Sequence, residues 1–169
     1  MVCAFAGSSN QTFFSQCNNK NKLYNCLINK LIMKTVDLCE QGIREYYCST
    51  ASGADMLCSE IVASLKNNYP DIKLHAIVPF HLRPDNWDTQ YEKRYKDLLK
   101  QCDSSICLNE ACQSEYYSNR NSYMIDNTDI IIAVYDSKNT ADRTESDTLS
   151  HHAKEKGKEV IFIPFTTAQ

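Results

Sequence analysis

The feature that most constrains the fold is an uninterrupted apolar run, residues 130–135, which lies between Asp129 and Asp136. The run is rich in β-branched residues and is bounded by acidic turn formers, which is typical of a strand buried on both faces. Such strands belong to parallel sheets covered by helices. Because ligands of open parallel sheets sit outside the carboxyl ends of the strands, we expect function at Asp136 and in the following loop, residues 137–147.

Strand and helix patterns alternate along the whole chain. Short apolar runs predict strands over residues 2–6, 43–49, 72–80, 104–108, 129–136 and 160–163. Apolar residues at helical spacing predict helices between them, over residues 23–42, 53–69, 91–102, 116–127 and 144–157. Thr144 with Asp147 has the form of a capping box, which predicts the start of the last helix. The sequence therefore predicts one domain, residues 1–169, with a three-layer Rossmann-like α/β fold and a mostly parallel central sheet.

Charge and hydropathy exclude several classes of protein. The formal net charge is -3, so no broad basic field attracts nucleic acid. No apolar run approaches the roughly 20 residues that cross a bilayer. The first residues lack the basic and long apolar regions of a secretory signal, so we expect a cytoplasmic protein that does not bind membranes.

The nine cysteines include no Cys-x-x-Cys pair. Structural zinc sites normally show closely spaced ligand pairs, so we expect no metal site, and an odd number argues against a complete disulfide framework. Several cysteines stand at apolar positions of predicted strands and helices: Cys3, Cys48, Cys58 and Cys107. We interpret them as buried, reduced thiols that act as small hydrophobic residues, with a metal or redox role as the alternative.

Small residues follow the first two strands. Directly after the first strand come Gly7, Ser8 and Ser9. The second helix begins with Ser52, Gly53 and Asp55. A helix start offers unpaired amides and a positive dipole end, which suit a phosphate. Both segments are therefore candidate binding sites, with an ordinary turn and a plain capping turn as the alternatives.

Arg120 and Asn121 lie on the helix that leads into the central strand. A guanidinium suits the geometry of a phosphate or a carboxylate. The alternative is a salt bridge from Arg120 to Asp126 or Asp129. We expect Arg120 and Asn121 to contact the ligand. In the alternative, the salt bridge gives Arg120 a purely structural role.

The predicted first turn of the last helix carries two carboxylates, Glu145 and Asp147, beside Thr144 and Thr148. Carboxylates there already stabilise the helix dipole and would repel a phosphate. We therefore predict that this loop contacts ribose hydroxyls or a base edge, with helix capping alone as the alternative.

The order of motifs along the chain resembles a known family. The motifs are residues 3–7, residues 50–56, Pro79-Phe80 with Trp87, Arg94-Tyr95, Arg120-Asn121 with Met124, and residues 129–136. Together they are similar to the YpsA-like branch of the SLOG superfamily, over almost the whole chain. That superfamily includes the cytokinin-activating LOG enzymes and resembles the DprA core.

The resemblance implies a Rossmann-like domain that binds a nucleotide or a nucleotide-derived molecule. LOG enzymes cleave the N-glycosidic bond of nucleoside monophosphates, whereas other SLOG domains sense nucleotide signals, including cyclic ADP-ribose-type molecules in antiviral defence. This chain keeps the order of the site motifs but has only 4 glycines, with Thr50-Ala51 where relatives usually carry Gly-Gly and Arg143-Thr144-Glu145 in place of Gly-Gly-Thr. We therefore expect a sensor or sequestering protein for an ADP-ribose or cyclic-nucleotide type of ligand.

Two other functions stay open at this point. A LOG-like hydrolase would use Glu145 or Asp147 to stabilise an oxocarbenium-like ribosyl centre. A DprA-like single-strand DNA binder would need a basic stripe interleaved with aromatic residues, whereas the lysines here are scattered. We expect no cofactor, and we expect a homodimer or larger homo-oligomer because related folds pair through helices. The sequence does not decide whether the Asn-rich segment, residues 11–22, closes over the ligand or faces a partner subunit.

Overall fold

The computed structural model describes residues 1–7, 22–49, 53–79, 89–108 and 113–166, without the side chains of residues 79, 90, 113–118 and 142–146. The described residues form six strands: β1 (Val2–Gly7), β2 (Glu45–Ser49), β3 (Lys73–Pro79), β4 (Ser104–Leu108), β5 (Ile130–Asp136) and β6 (Glu159–Phe165). They also form five helices: α1 (Lys22–Glu40), α2 (Ala54–Leu65), α3 (Thr89–Leu99), α4 (Gln113–Asn127) and α5 (Thr140–Glu155).

The described strands make a six-stranded sheet in the order β4-β3-β2-β1-β5-β6, and every neighbouring pair is parallel. Strand and helix alternate along the chain, as the sequence predicts. Three strands, β2, β3 and β4, are added in one direction from β1, and the chain then returns to place β5 on the other side of β1. The order therefore reverses between β1 and β5, which is the position where open α/β sheets form a crevice at their carboxyl edge.

The central strand β5 is buried on both faces, which confirms the interpretation of its apolar run. Ile130, Ile132 and Val134 pack in a core with residues of α1, α2 and α3. Ile131 faces the other side and packs with residues of α4 and α5. Alternate residues of one strand thus fill two cores, and the sheet is the middle of three layers.

The last helix starts earlier than the sequence predicts. α5 begins at Thr140, and the side-chain Oδ1 of Asn139 accepts a hydrogen bond of 3.0 Å from the amide of Ala141. Asn139 is therefore the N-cap residue. The proposed capping box of Thr144 and Asp147 is wrong, because both residues lie inside the helix. Among the helices that the structure describes, none is long and apolar enough to cross a membrane.

Candidate functional site

The candidate site lies at the carboxyl edge of the sheet, where β1 and β5 end side by side. Gly7, the last residue of β1, is paired with Val134 of β5. Asp136 ends β5 two residues further on. This edge coincides with the reversal in strand order, so the two sequence-predicted positions Gly7 and Asp136 are brought together.

The end of β1 touches the start of α2 without space for a side chain. A Cβ atom built on Gly7 would lie 2.5 Å from Cβ of Ala54 and 2.9 Å from Oδ1 of Asp55. Real Cβ atoms do not approach so closely, so only glycine allows this contact. Gly53 stands just before α2 with φ of 84°, a conformation that favours glycine. The two glycines therefore bring backbone from β1 and from the first turn of α2 to one place.

Arg120 of α4 crosses the edge of the sheet and joins the three layers. Its Nη1 donates a hydrogen bond of 3.1 Å to Oγ of Ser49, the last residue of β2, and lies 3.5 Å from Oδ2 of Asp55 in α2. Its Nε and Nη2 donate bonds of 3.2 and 3.0 Å to Oδ1 of Asn121. Arg120 and Asp55 are 4% and 2% exposed, so their ion pair is buried.

The alternative partners expected for Arg120 are occupied elsewhere. Asp126 pairs with Lys156 at 3.0 Å on the surface. Oδ2 of Asp129 accepts a hydrogen bond of 2.8 Å from the amide of Val2. The alternative of a salt bridge from Arg120 to either residue is therefore wrong, because among the described carboxylates Arg120 pairs with Asp55, 65 residues away in the chain.

Asp136 is buried and orders the turn between β5 and α5. Its Oδ1 accepts a hydrogen bond of 3.0 Å from the amide of Lys138, and its carbonyl accepts one of 3.1 Å from the amide of Asn139. Ser137 donates both its amide and its hydroxyl to the carbonyl of Phe165, at 2.9 and 3.0 Å. The turn that carries Asp136 is thereby held to the end of β6.

The remaining candidates differ in what the structure shows of them. Glu145 and Thr144 lie within α5, but their side chains are outside the described part. Asp147 and Thr148 are exposed on the same helix. Because α5 begins at Thr140, neither carboxylate lies in its first turn, and the expected repulsion of a phosphate by a doubly acidic first turn is wrong. Ser8, Ser9, Ser52 and most of the segment 11–22 lie outside the described residues.

Most described cysteines are buried thiols, as expected. Burial raises the pKa of Cys3, Cys48 and Cys58 far above the usual value, and burial raises that of Cys102 to about 11. Cys107 is exposed, because β4 is the edge strand, so its interpretation as a buried residue is wrong. In the described part of the chain no group of three or more His, Cys, Asp or Glu residues could hold a metal ion.

Two features of the structure are missing from the sequence-based prediction. Ser49 is fully buried at the end of β2 and binds Arg120. The signal available in the sequence was a polar residue at the end of a predicted strand. At the opposite edge of the sheet, His75 contacts Ser104 and Glu45, and these contacts depend on a strand order that the sequence does not reveal.

The fold and the glycine-lined edge define a doubly wound α/β domain with its candidate site at the topological switch point. The model of the YspA SLOG family matches residues 9–168, and the chain therefore belongs to that family. This confirms the resemblance drawn from the sequence motifs.

Relatives of the chain carry names that describe no activity. A UPF0398 protein of Bacillus cereus is 28% identical over 113 residues, which is 66% of this chain and 61% of the relative. A UPF0398 protein of Staphylococcus epidermidis is 28% identical over 110 residues, 64% of this chain and 58% of the relative. One of Bacillus pumilus is 30% identical over 101 residues, 59% of this chain and 54% of the relative. The chain thus spans about three fifths of the length of the curated relatives that it matches.

Proposed function

We propose that this chain binds a nucleotide or nucleotide-derived ligand, of the ADP-ribose or cyclic-nucleotide type, at the carboxyl edge between β1 and β5. The observation that carries the proposal is the contact of Gly7 with the first turn of α2, where a side chain on β1 would collide with Ala54. This contact places the end of β1 directly beside the amino end of a helix. Amides and the helix dipole together favour a phosphate.

Asp136 supports the ribose end of this proposal. It is a buried carboxylate at the end of the strand next to β1. An ionised carboxylate is a pure acceptor and can accept hydrogen bonds from ribose hydroxyls. A ligand that places its phosphate near Gly53 and its ribose near Asp136 would span the crevice. Ser8, Ser9 and Ser52 adjoin the two glycines in the chain and are further candidate contacts.

Arg120 and Asn121 are part of the proposed site, but the guanidinium of Arg120 is already paired within the protein. The guanidinium is buried against the carboxylate of Asp55 and the amide oxygen of Asn121. Its charge is therefore largely balanced within the protein. Arg120 thus stabilises the carboxyl edge of the sheet, and any contact with a ligand phosphate would be a second role.

Binding without bond cleavage is favoured over hydrolysis. The catalytic candidates Glu145 and Asp147 both lie beyond the first turn of α5, and Asp147 is exposed. An exposed carboxylate is a poor stabiliser of a developing positive charge, because water screens it. We therefore propose a sensor or a protein that sequesters a signalling nucleotide.

Isothermal titration calorimetry with ADP-ribose, cyclic ADP-ribose, cyclic AMP and AMP tests the proposal. We expect one of these ligands to bind, and Asp136→Asn to weaken its affinity by about tenfold or more, because a charge-assisted hydrogen bond contributes about 1.5–3 kcal/mol. Asp126→Asn is the matched control, since Asp126 is a surface carboxylate paired with Lys156. It should leave affinity unchanged.

Two outcomes would count against the proposal. Absence of binding across the four ligands would contradict it, and so would equal affinities of the two variants. Chromatography of the ligand after incubation gives a separate answer. Release of free base that disappears in Glu145→Gln would replace the sensor by the hydrolase.

A further inference from the structure

A second polar cluster lies at the amino end of the sheet, away from the proposed ligand site. It comprises Glu45 at the start of β2, His75 in β3 and Ser104 at the start of β4. Nδ1 of His75 lies 2.7 Å from Oγ of Ser104, and Nε2 lies 3.5 Å from Oε2 of Glu45. Because Ser104 pairs directly with His75 across the two strands, the sheet itself sets this contact.

We propose that Ser104 is a nucleophile activated by His75, with Glu45 as the residue that positions His75, and that it attacks small activated acyl esters. A hydroxyl next to a base, and a base next to a carboxylate, is the arrangement by which serine side chains become nucleophilic. This inference is independent of the proposed nucleotide site.

The surroundings of His75 hold the imidazole in one orientation. The ring of Tyr47 packs on it with centroids 5.0 Å apart, and the ring of Tyr123 lies behind Tyr47 at 6.3 Å. The His75 side chain is 15% exposed, whereas Ser104 is open to solvent. Nε2 faces the Glu45 carboxylate at 3.5 Å without a hydrogen bond between described atoms, and the tautomer with its proton on Nε2 leaves the lone pair of Nδ1 to accept the hydroxyl proton of Ser104.

The backbone offers a donor for the developing oxyanion. The amide of Asp103 donates a hydrogen bond of 2.8 Å to the carbonyl of Leu74 in β3. Successive amides of a strand point to opposite sides, so the amide of Ser104 points away from β3. Within the described sheet β4 is the outermost strand on that side. The amide of Ser104 thus lies beside its own Oγ, on the side of β4 that no described strand covers, where it can serve as an oxyanion-hole donor.

The reaction balances with water as the second reactant. Oγ of Ser104 bonds to the carbonyl carbon of the ester, and its proton passes to Nδ1 of His75. The proton then goes to the leaving alcohol as the bond from the carbonyl carbon to the alcohol oxygen breaks. Water attacks the acyl-serine by the same route, releases the carboxylic acid and returns the proton to Oγ. Glu45 keeps His75 oriented throughout and gains no proton.

Labelling with a fluorophosphonate probe tests the nucleophile directly. We expect peptide mass spectrometry of the full chain to locate the label on Ser104, and Ser104→Ala to abolish it. Ser105→Ala is the matched control, because Ser105 is also exposed but points to the opposite face of the same strand. His75→Gln should slow labelling by about 100-fold or more, the lower range for loss of a general base.

A second readout separates reactivity from folding. Hydrolysis of p-nitrophenyl acetate should show a burst of p-nitrophenol with rates that rise with pH, and Glu45→Gln should lower the rate constant without changing the thermal midpoint by more than a few degrees. The proposal is overturned if Ser104 is labelled no faster than Ser105. It is also overturned if His75→Gln, folded by circular dichroism, labels at the wild-type rate.

Discussion

The buried pair of Arg120 with Asp55 yields the most direct prediction about stability. Arg120→Met keeps most of the length of the side chain and removes its charge. Asp55 is 2% exposed, so its carboxylate would then stay buried without the guanidinium. Breaking a buried ion pair in this way costs about 3–5 kcal/mol of unfolding free energy. This range already includes the loss of the hydrogen bond from Arg120 to Ser49.

Urea denaturation measures this loss against a matched surface pair. Lys156→Met removes the cation that faces Asp126 at 3.0 Å, where both side chains are about half exposed. Exposed pairs contribute about 0–1 kcal/mol, so this variant should be close to wild type. Both variants replace a cation by methionine, and they differ in whether the ion pair that they break is buried or exposed.

A double-mutant cycle decides whether the two charges act on each other. Arg120→Met combined with Asp55→Asn should lose less than the sum of the single variants, by roughly 0.5–3 kcal/mol. The reasoning is refuted if Arg120→Met loses no more stability than Lys156→Met. Strict additivity of the two changes would refute it as well.

Three further predictions concern the helix starts and the thiols. Gly7→Ala should lower the unfolding free energy by about 1–3 kcal/mol, because its Cβ would overlap Ala54; an unchanged thermal midpoint would contradict this. Asn139→Ala should lower the unfolding free energy by about 0.5–2 kcal/mol through loss of the N-cap, and Thr144→Ala should lower it less. If urea denaturation shows the larger loss for Thr144→Ala, the helix starts at the later position predicted from the sequence. Native alkylation by iodoacetamide at pH 8, read by mass spectrometry, should modify Cys26 and Cys107 and spare Cys48 and Cys58, whose raised pKa values keep the buried thiols protonated; rapid labelling of the buried pair would show that the core opens.

The sequence predicts the elements of this fold well because they depend on local patterns. The strand Ser104–Leu108 has the predicted bounds, and β5 is buried on both faces as its apolar run indicates. The start of α5 was misplaced because Thr144 and Asp147 have capping-box spacing within a helix. The actual cap, Asn139, is an equally good residue type that stands five positions before Thr144.

The candidate site was predicted only in part, because its contacts join distant segments. Gly7 and Asp136 follow from the rule that ligands sit at the carboxyl ends of parallel strands. The pair of Arg120 with Asp55, and the contact of His75 with Ser104, depend on which strands become neighbours. The order of the strands is set by the packing of whole helices, and no local sequence pattern reveals it. The exposure of Cys107 has the same origin, since only the strand order shows that β4 lies at the edge.

Nuclear magnetic resonance of the ¹⁵N-labelled chain tests the central claim most directly. Titration with ADP-ribose, cyclic ADP-ribose, cyclic AMP and AMP should shift the amides of Gly7, Gly53 and Asp136 with one of the ligands. The amides of Glu45 and Ser104, at the other end of the sheet, should stay in place. Spectra that remain unchanged with all four compounds, or shifts confined to the amino end of the sheet, would contradict a nucleotide site between β1 and β5.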